Sequence, residues 1–193
     1  MGFRFQPQSI TEIVLVRADC YQDARGFFVE CYRRSIFEQN GIREVFLQDN
    51  LSHSAQNVLR GLHFQNPPKA QAKLVIPLFG EIYDVVVDLR CGSPTYGKWV
   101  ACVLSAARHE ALYVPGGFAH GFCVMSESAT VLYKASCEYA PECEGGVRWN
   151  DPDLQIPWPC ENPVVSARDA ALPLLREVNS CFYLEPRCAA SSA

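Results

Sequence analysis

No stretch of the 193 residues approaches the ~18 consecutive apolar residues needed to span a bilayer. The opening Met1-Gly2-Phe3-Arg4-Phe5-Gln6-Pro7 lacks the basic start and apolar run of a secretory signal. No run of Lys or Arg occurs, and 17 basic side chains face 21 acidic ones, so the broad positive field of a nucleic-acid binder is missing. An anionic ligand must then be held by a few placed cations. The cysteines form no CxxC pair, which disfavours a zinc site or a disulfide framework. No internal repeat, low-complexity tract or charged linker divides the chain.

What is present fits a soluble globular protein: 49% hydrophobic and 20% charged residues, with a net charge of -4. The length suits one domain able to bury a real core. The last residues, Cys188 to Ala193, read as a loose tail. Ten cysteines are many. Most lie in apolar runs, such as Cys102 within Trp99 to Leu104 and Cys123 within Gly121 to Val124. They read as small buried hydrophobes of a reducing compartment. A cytoplasmic protein with neither a membrane nor a nucleic-acid partner is expected.

One segment, Arg33 to Asn40, reads as a helix stopped by Gly41. From about residue 45 the pattern turns to short β-rich runs: Leu74–Phe79, Glu81–Leu89, Trp99–Leu104, Ala111–Val114, Phe122–Met125 and Ala129–Ala135. Turn signals separate them, among them Gly92-Ser93-Pro94 and Pro115-Gly116-Gly117. Many closely spaced strands predict an antiparallel sandwich or barrel. Period-two alternation in Glu81 to Leu89 puts Ile82, Asp84, Val86 and Asp88 on one face. Asp84 then stands in the middle of a strongly apolar strand. Tyr133 and Lys134 likewise interrupt a β run. Such polar groups belong to a structural network or line a ligand cavity.

The densest polar cluster is Gln48-Asp49-Asn50-Leu51-Ser52, followed by Arg60-Gly61-Leu62-His63-Phe64-Gln65 and Lys73. It brings amides, a guanidinium, an imidazole and an ammonium among β-formers, the mixture a ligand site needs. Taken singly, His63 suits a structural histidine, Arg60 a surface cation and Lys73 a solvated strand end. A second segment, Pro115-Gly116-Gly117-Phe118-Ala119-His120-Gly121, delivers His120 at the start of an apolar strand. Its Pro-x-Gly-x-x-His pattern resembles the second motif of the cupin β-barrels. The first cupin motif usually supplies His-x-His and a Glu, whereas Leu62-His63-Phe64-Gln65 offers one His. Two histidines fall short of a transition-metal site, so no metal is expected.

Read together, the segments resemble one family within the cupins. Arg60 to Gln65, Ala70 to Val75, Asp84 to Arg90, Gly92-Ser93-Pro94-Thr95-Tyr96-Gly97, Leu132-Tyr133-Lys134, Trp149-Asn150-Asp151-Pro152 and Ser166-x-x-Asp169 occur in its order and spacing. With the His120 segment, they make the chain similar to the dTDP-4-dehydrorhamnose 3,5-epimerases over roughly residues 5–175. The resemblance implies one all-β domain over residues 1–175, a cupin-type antiparallel barrel or jelly roll with a few short helices near the N- and C-termini, followed by a C-terminal extension over 176–193, loosely ordered in part. It also implies a homodimer, a dTDP-sugar substrate and no cofactor.

The implied reaction inverts C3 and C5 of dTDP-4-dehydro-6-deoxy-D-glucose, both of which flank the C4 carbonyl and are acidic through the enolate. By resemblance, His63 is the base, with an unperturbed pKa of ~6.5 near working pH. Asp169 orients it. Lys73 faces the developing enolate oxygen, and Tyr133 is the acid on the other face. Arg25 and Glu30 match nucleotide contacts made across a dimer interface. Gln48, Asp49 and Asn50 match further nucleotide contacts, and Arg60 matches a diphosphate contact. Tyr139 matches the residue stacked on thymine. Glu144, His120 and Arg168 complete the implied pocket. Two positions depart from the pattern: Ala72 replaces the usual Gly before Lys73, and Arg168 replaces Lys.

Three other readings stay open at this level. A metal-dependent cupin needs more ligands than His63 and His120. A C3-only or C5-only epimerase shares nearly every motif. A silent nucleotide-sugar binding module has no need of His63, Lys73, Tyr133 and Asp169 together.

Overall fold

The alternation of inward and outward residues along each strand builds the molecule from two facing antiparallel sheets. The computed structural model describes residues 2–184. In chain order the strands are β1 (Phe3–Pro7), β2 (Val14–Ala18), β3 (Cys20–Asp23), β4 (Gly26–Val29), β5 (Gln48–Ala55), β6 (Leu59–Gln65) and β7 (Lys73–Phe79). They continue as β8 (Glu81–Asp88), β9 (Trp99–Ser105), β10 (Glu110–Val114), β11 (Phe118–Val124), β12 (Ser128–Ala135) and β13 (Glu144–Gly146). Two short helices, α1 (Arg34–Gln39) and α2 (Ala167–Ala170), lie towards the two ends of the chain. One sheet runs β1-β2-β10-β7-β12-β5 and the other β13-β6-β11-β8-β9. This is the all-β, cupin-type arrangement expected from the sequence.

Three apolar clusters follow from strand alternation. Between the sheets, Val75, Ile82, Val86, Leu112, Phe118, Phe122 and Val131 meet in one core. The outer face of the six-stranded sheet carries Leu74, Ile76, Ala111 and Tyr113, covered by Phe37 of α1 and by Phe3 and Phe5. The outer face of the five-stranded sheet carries Leu62, Phe64, Val85, Val87 and Ala119, covered by Leu154, Leu175 and Phe182. A fully buried Leu or Phe contributes about 1.5–3 kcal/mol, so each covering layer is tied down by several anchors.

The covering layer extends past residue 175. Phe182 packs edge-on against Phe64 with ring centroids 5.8 Å apart, and Ser180 donates a 2.7 Å hydrogen bond to the Leu89 carbonyl. Residues 185–193, the remainder of the expected extension, lie outside the described residues.

The expectation that most cysteines are buried is corrected. Of the nine described, all free thiols, Cys102 and Cys123 are buried, whereas Cys31 and Cys181 are exposed and the other five are intermediate. An apolar run alternates faces in a strand, so an apolar neighbour does not guarantee a buried side. Cys31, Cys137, Cys143, Cys160 and Cys181 also stand outside the strands.

Hairpin β3–β4 joins neither main sheet. It leaves Phe27 and Phe28 67% and 60% exposed, although these are residues that ordinarily seek cover.

Candidate active site

The inward positions of four strands meet at one end of the barrel. His63 comes from β6 and His120 from β11, directly paired across the five-stranded sheet. Lys73 of β7 and Tyr133 of β12 come from the six-stranded sheet opposite. These four side chains, with Arg60, Arg168 and Asp169, line a cavity of about 470 Å³ that is walled by Val58, Leu59, Phe122, Val164 and Val165. A second hollow of about 320 Å³ shares His63, Lys73 and Tyr133 and adds Gln48, Asn50, Tyr139 and Glu144. The shared residues make the two hollows one cleft, within the size range of small-ligand sites.

His63 owes its orientation to a long-range contact. Its Nε2 lies 2.8 Å from Asp169 Oδ1, and the other carboxylate oxygen accepts from the Gly61 amide at 3.0 Å. Asp169 is placed by α2, whose first turn is capped by Ser166 Oγ accepting from the Asp169 amide. Gly61 adopts φ +119°, and a methyl there would stand 2.6 Å from Gly121 Cα. Only glycine permits this approach of β6 to β11, which turns the Gly61 N–H towards Asp169. Burial pushes the Asp169 carboxyl up, but its hydrogen bonds from His63 and Gly61 outweigh this and hold it below the usual carboxylate range.

Asp84 is the buried charge singled out in the sequence. It is fully buried and accepts from His120 Nε2 at 2.9 Å, while its other oxygen has no described partner. Lys73 keeps a little exposure through the cleft mouth, yet protein surrounds its head closely. Desolvation therefore lowers it to about 8, against the pull of Asp84 and Glu144. Among the described residues its ammonium donates one hydrogen bond, a long one of 3.4 Å, to the His63 carbonyl. Burial also pushes the Tyr133 phenol up, with Arg60 pulling the other way, so it is protonated at neutral pH.

Arg60 donates from Nε to Ser54 Oγ at 3.0 Å. Among the described residues, neither Arg60 nor Lys73 has a carboxylate within ion-pair range. Two cations without counter-ions in an acidic protein mark where an anion belongs. At the mouth, Tyr139 is half exposed; its hydroxyl donates to Glu144 at 2.6 Å and its amide to Gln48 Oε1 at 2.8 Å. Glu144 also pairs with Arg168. Burial raises the Glu144 carboxyl, but Tyr139 and Arg168 bring it net below its ordinary value.

Three of the expected site residues lie elsewhere in this chain. Asp49 points to the outer face of β5 and binds Lys134 Nζ at 2.7 and 2.8 Å. Arg25 and Glu30 belong to the hairpin region, where they pair with Asp23 and Arg33. Ala72, the departure beside Lys73, turns its methyl into the outer cluster with Leu74 and Tyr113, away from the cleft.

Sequence reasoning placed Ser52 in the polar cluster but gave it no role, although its hydroxyl is buried in the cleft with no partner among the described residues; it missed the walls Val58, Val164 and Val165. The polar alternation Gln48, Asn50, Ser52, Ser54 on one face of β5 was a usable signal. Among the described residues, no group of three or more His, Cys, Asp or Glu side chains is placed to hold a metal ion, and no helix is long and apolar enough to cross a membrane.

The dTDP-4-dehydrorhamnose 3,5-epimerase family model matches residues 7–177. A dTDP-4-dehydrorhamnose 3,5-epimerase of Salmonella typhimurium is 48% identical over 169 residues, covering 86% of this chain and 92% of its own. A dTDP-4-dehydrorhamnose 3-epimerase of Streptomyces niveus is 41% identical over 182 residues, covering 94% and 88%. The crystal structure of a dTDP-6-deoxy-D-glucose-3,5-epimerase from Legionella pneumophila, in complex with dTDP-4-keto-L-rhamnose, superposes with a TM-score of 0.89 at 42% identity, covering 92% and 95%. The chain belongs to the dTDP-4-dehydrorhamnose 3,5-epimerase family.

Proposed function

We infer that this protein is an isomerase that inverts C3 and C5 of dTDP-4-dehydro-6-deoxy-D-glucose to give dTDP-4-dehydro-L-rhamnose, within dTDP-rhamnose biosynthesis. The observation that carries the reading is an Asp-oriented histidine on one sheet facing a protonated tyrosine on the other, with an unpaired lysine beside them.

His63 removes the proton next to the C4 carbonyl. With Nε2 committed to Asp169, Nδ1 carries the basic lone pair, and the carboxylate stabilises the imidazolium that forms. Lys73 meets the charge that develops on the carbonyl oxygen. A preorganised donor of this kind commonly contributes ~3 kcal/mol in a site shielded from water. Tyr133 returns a proton from the opposite face, which inverts the carbon. The same groups serve the second carbon after the ring shifts by one position. Between the two events His63 and Tyr133 reset by proton exchange with water.

Arg60 and Arg168 are assigned to the diphosphate. Gln48, Asn50, Tyr139, Glu144 and His120 are assigned to the nucleotide and sugar, with Tyr139 stacking on the base. The exposed β3–β4 hairpin supports a homodimer in which Arg25 and Glu30 reach the cleft of a second copy. Asp49 contributes by fixing Lys134 and the edge of β5. The free thiols of the described residues support a reducing, cytoplasmic setting.

The Streptomyces relative named a 3-epimerase keeps a one-carbon reading in view. Incubation with the 4-keto substrate in deuterium oxide, read by NMR, separates the two. Label at both C3 and C5 supports the double epimerase; label at one carbon alone rejects it.

A further inference from the structure

The thiols of Cys123 and Cys160 are in contact, with their sulfurs 3.3 Å apart. No other pair among the described cysteines is within sulfur hydrogen-bonding range. The two sit in unlike settings. Cys123 is fully buried on β11, an inner strand of the five-stranded sheet, and its side chain faces away from the cleft. Cys160 is partly exposed, on the irregular segment that covers this outer face.

That segment is held at two points. Upstream, Trp158 donates its indole N–H to the Trp149 carbonyl at 2.8 Å and packs edge-on against Tyr83. Downstream, Val164 forms a parallel bridge with Val58; its amide donates to the Asn57 carbonyl at 2.8 Å, and its carbonyl accepts from the Leu59 amide at 2.9 Å. Between these anchors, residues 159–163 form no helix or strand. Immediately beyond them the chain lines the cleft with Val164, Val165, Ser166, Arg168 and Asp169.

We propose that Cys123 and Cys160 are a reversible disulfide site, oxidised by peroxide, that braces the cleft wall leading to Asp169. The geometry favours closure: the sulfurs need approach by only about 1 Å, and the irregular segment can yield where β11 cannot. The division of labour follows from burial. Burial and the neighbouring thiol push Cys123 up to about 12, so it waits as a thiol while the partly exposed Cys160 meets the oxidant.

In the first step the Cys160 thiolate attacks one peroxide oxygen. The O–O bond breaks, hydroxide leaves and takes up a proton as water, and Cys160 becomes a sulfenic acid. In the second, the Cys123 sulfur attacks the Cys160 sulfur. The S–O bond breaks, and the hydroxyl departs as water with the Cys123 proton. Two thiols and one hydrogen peroxide thus give one disulfide and two waters. A small-molecule dithiol reverses the link by thiol–disulfide exchange. The seven other described cysteines lack this arrangement, which makes the site selective.

The test uses the full chain carrying Cys31→Ser, Cys181→Ser and Cys188→Ser, which removes two exposed thiols and one beyond the described residues. Hydrogen peroxide should lower the intact mass by about 2 Da through loss of two hydrogens and produce a linked Cys123–Cys160 peptide. The thermal midpoint should rise by roughly 5–10 °C. Dithiothreitol should reverse all three changes. Adding Cys160→Ser should abolish them, and adding Cys123→Ala should leave Cys160 trapped by a sulfenic-acid reagent without a link. Sulfinic acid at Cys160 with no linked peptide would overturn the proposal. A linked peptide that forms with no rise in midpoint would overturn the bracing role.

Discussion

His63 and His120 stand opposite one another on adjacent strands, and each contacts an aspartate at nearly the same distance, 2.8 and 2.9 Å. The surroundings differ. The His63 side chain is 32% exposed and His120 only 8%. Asp169 reaches His63 from a helix 106 residues away in sequence, and both its oxygens are bonded. Asp84 lies on the strand next to His120, with one oxygen bonded and one bare. A base must reach substrate and exchange its proton with water, and it gains from a carboxylate held firmly in place. The His63 pair meets those demands. The His120 pair is a buried polar contact at the cleft floor, suited to fixing the shape of the site. Access and satisfaction of the carboxylate are thus what separates the two pairs, and they are the ground for the different roles proposed for them.

Substitutions can break or sharpen this contrast. After His63→Ala, which should abolish exchange, the largest effect is expected from Lys73→Met, about 10²–10³-fold in turnover, because it removes the ammonium assigned to the carbonyl oxygen. In the unaltered protein, activity should fall as pH rises through about 8, where Lys73 loses its charge. The stability sign is the reverse. The folded pKa lies below the unfolded one, so the unfolded chain binds more protons between about 8 and 10.5, and stability rises with pH across that window. A pH–rate profile checks this point: the Lys73→Met protein should lack the alkaline limb, and persistence of that limb would assign it to another group.

Next comes Asp169→Asn, with a loss of about 10²-fold in kcat and little change in KM, since the amide supports the wrong histidine tautomer. Its counterpart, Asp84→Asn, belongs at the other end of the series. If the two losses proved equal, the proposed difference between the pairs would disappear. Tyr133→Phe should cost about 10-fold, less than a positioned acid often contributes, because water in the open cleft can return the proton. Asp84→Asn should cost less than about 10-fold, measured as kcat/KM, since His120 is assigned to shaping and binding.

Much of the strand pattern was legible because burial on one face imposes alternation. Glu81–Leu89 and Trp99–Leu104 were expected, and Glu81–Asp88 and Trp99–Ser105 are found. The helix expected at Arg33–Asn40 runs Arg34–Gln39, with Gly41 at φ +88° just past its end. The strand expected at Phe122–Met125 begins earlier, at Phe118. Ala119-His120-Gly121 has little β propensity of its own, and pairing on both sides by β6 and β8 overrides that weakness. The four N-terminal strands were not anticipated: each is 4–5 residues long, too short for a periodic signal, and β3–β4 is exposed.

The site was legible only in part. Asp84 could be recognised as a buried charge from alternation, but not as the partner of His120, because that depends on strand order. Asp169 could be tied to His63 only by resemblance, because 106 residues separate them. The outward turn of Asp49 follows from β5 parity, and the tripeptide Gln48-Asp49-Asn50 must alternate faces once it is a strand. Ser52 was named in the polar cluster but not placed on the cleft side, since the strand itself went unrecognised.

The most direct test of His63 as the base at both carbons is solvent exchange with the His63→Ala protein. Substrate and protein are incubated in deuterium oxide, and C3 and C5 are followed by NMR, with dTDP binding measured alongside. The account predicts no enzyme-dependent label at either carbon, with dTDP still bound. Label arriving at either carbon at a substantial fraction of the unaltered protein's rate would contradict it.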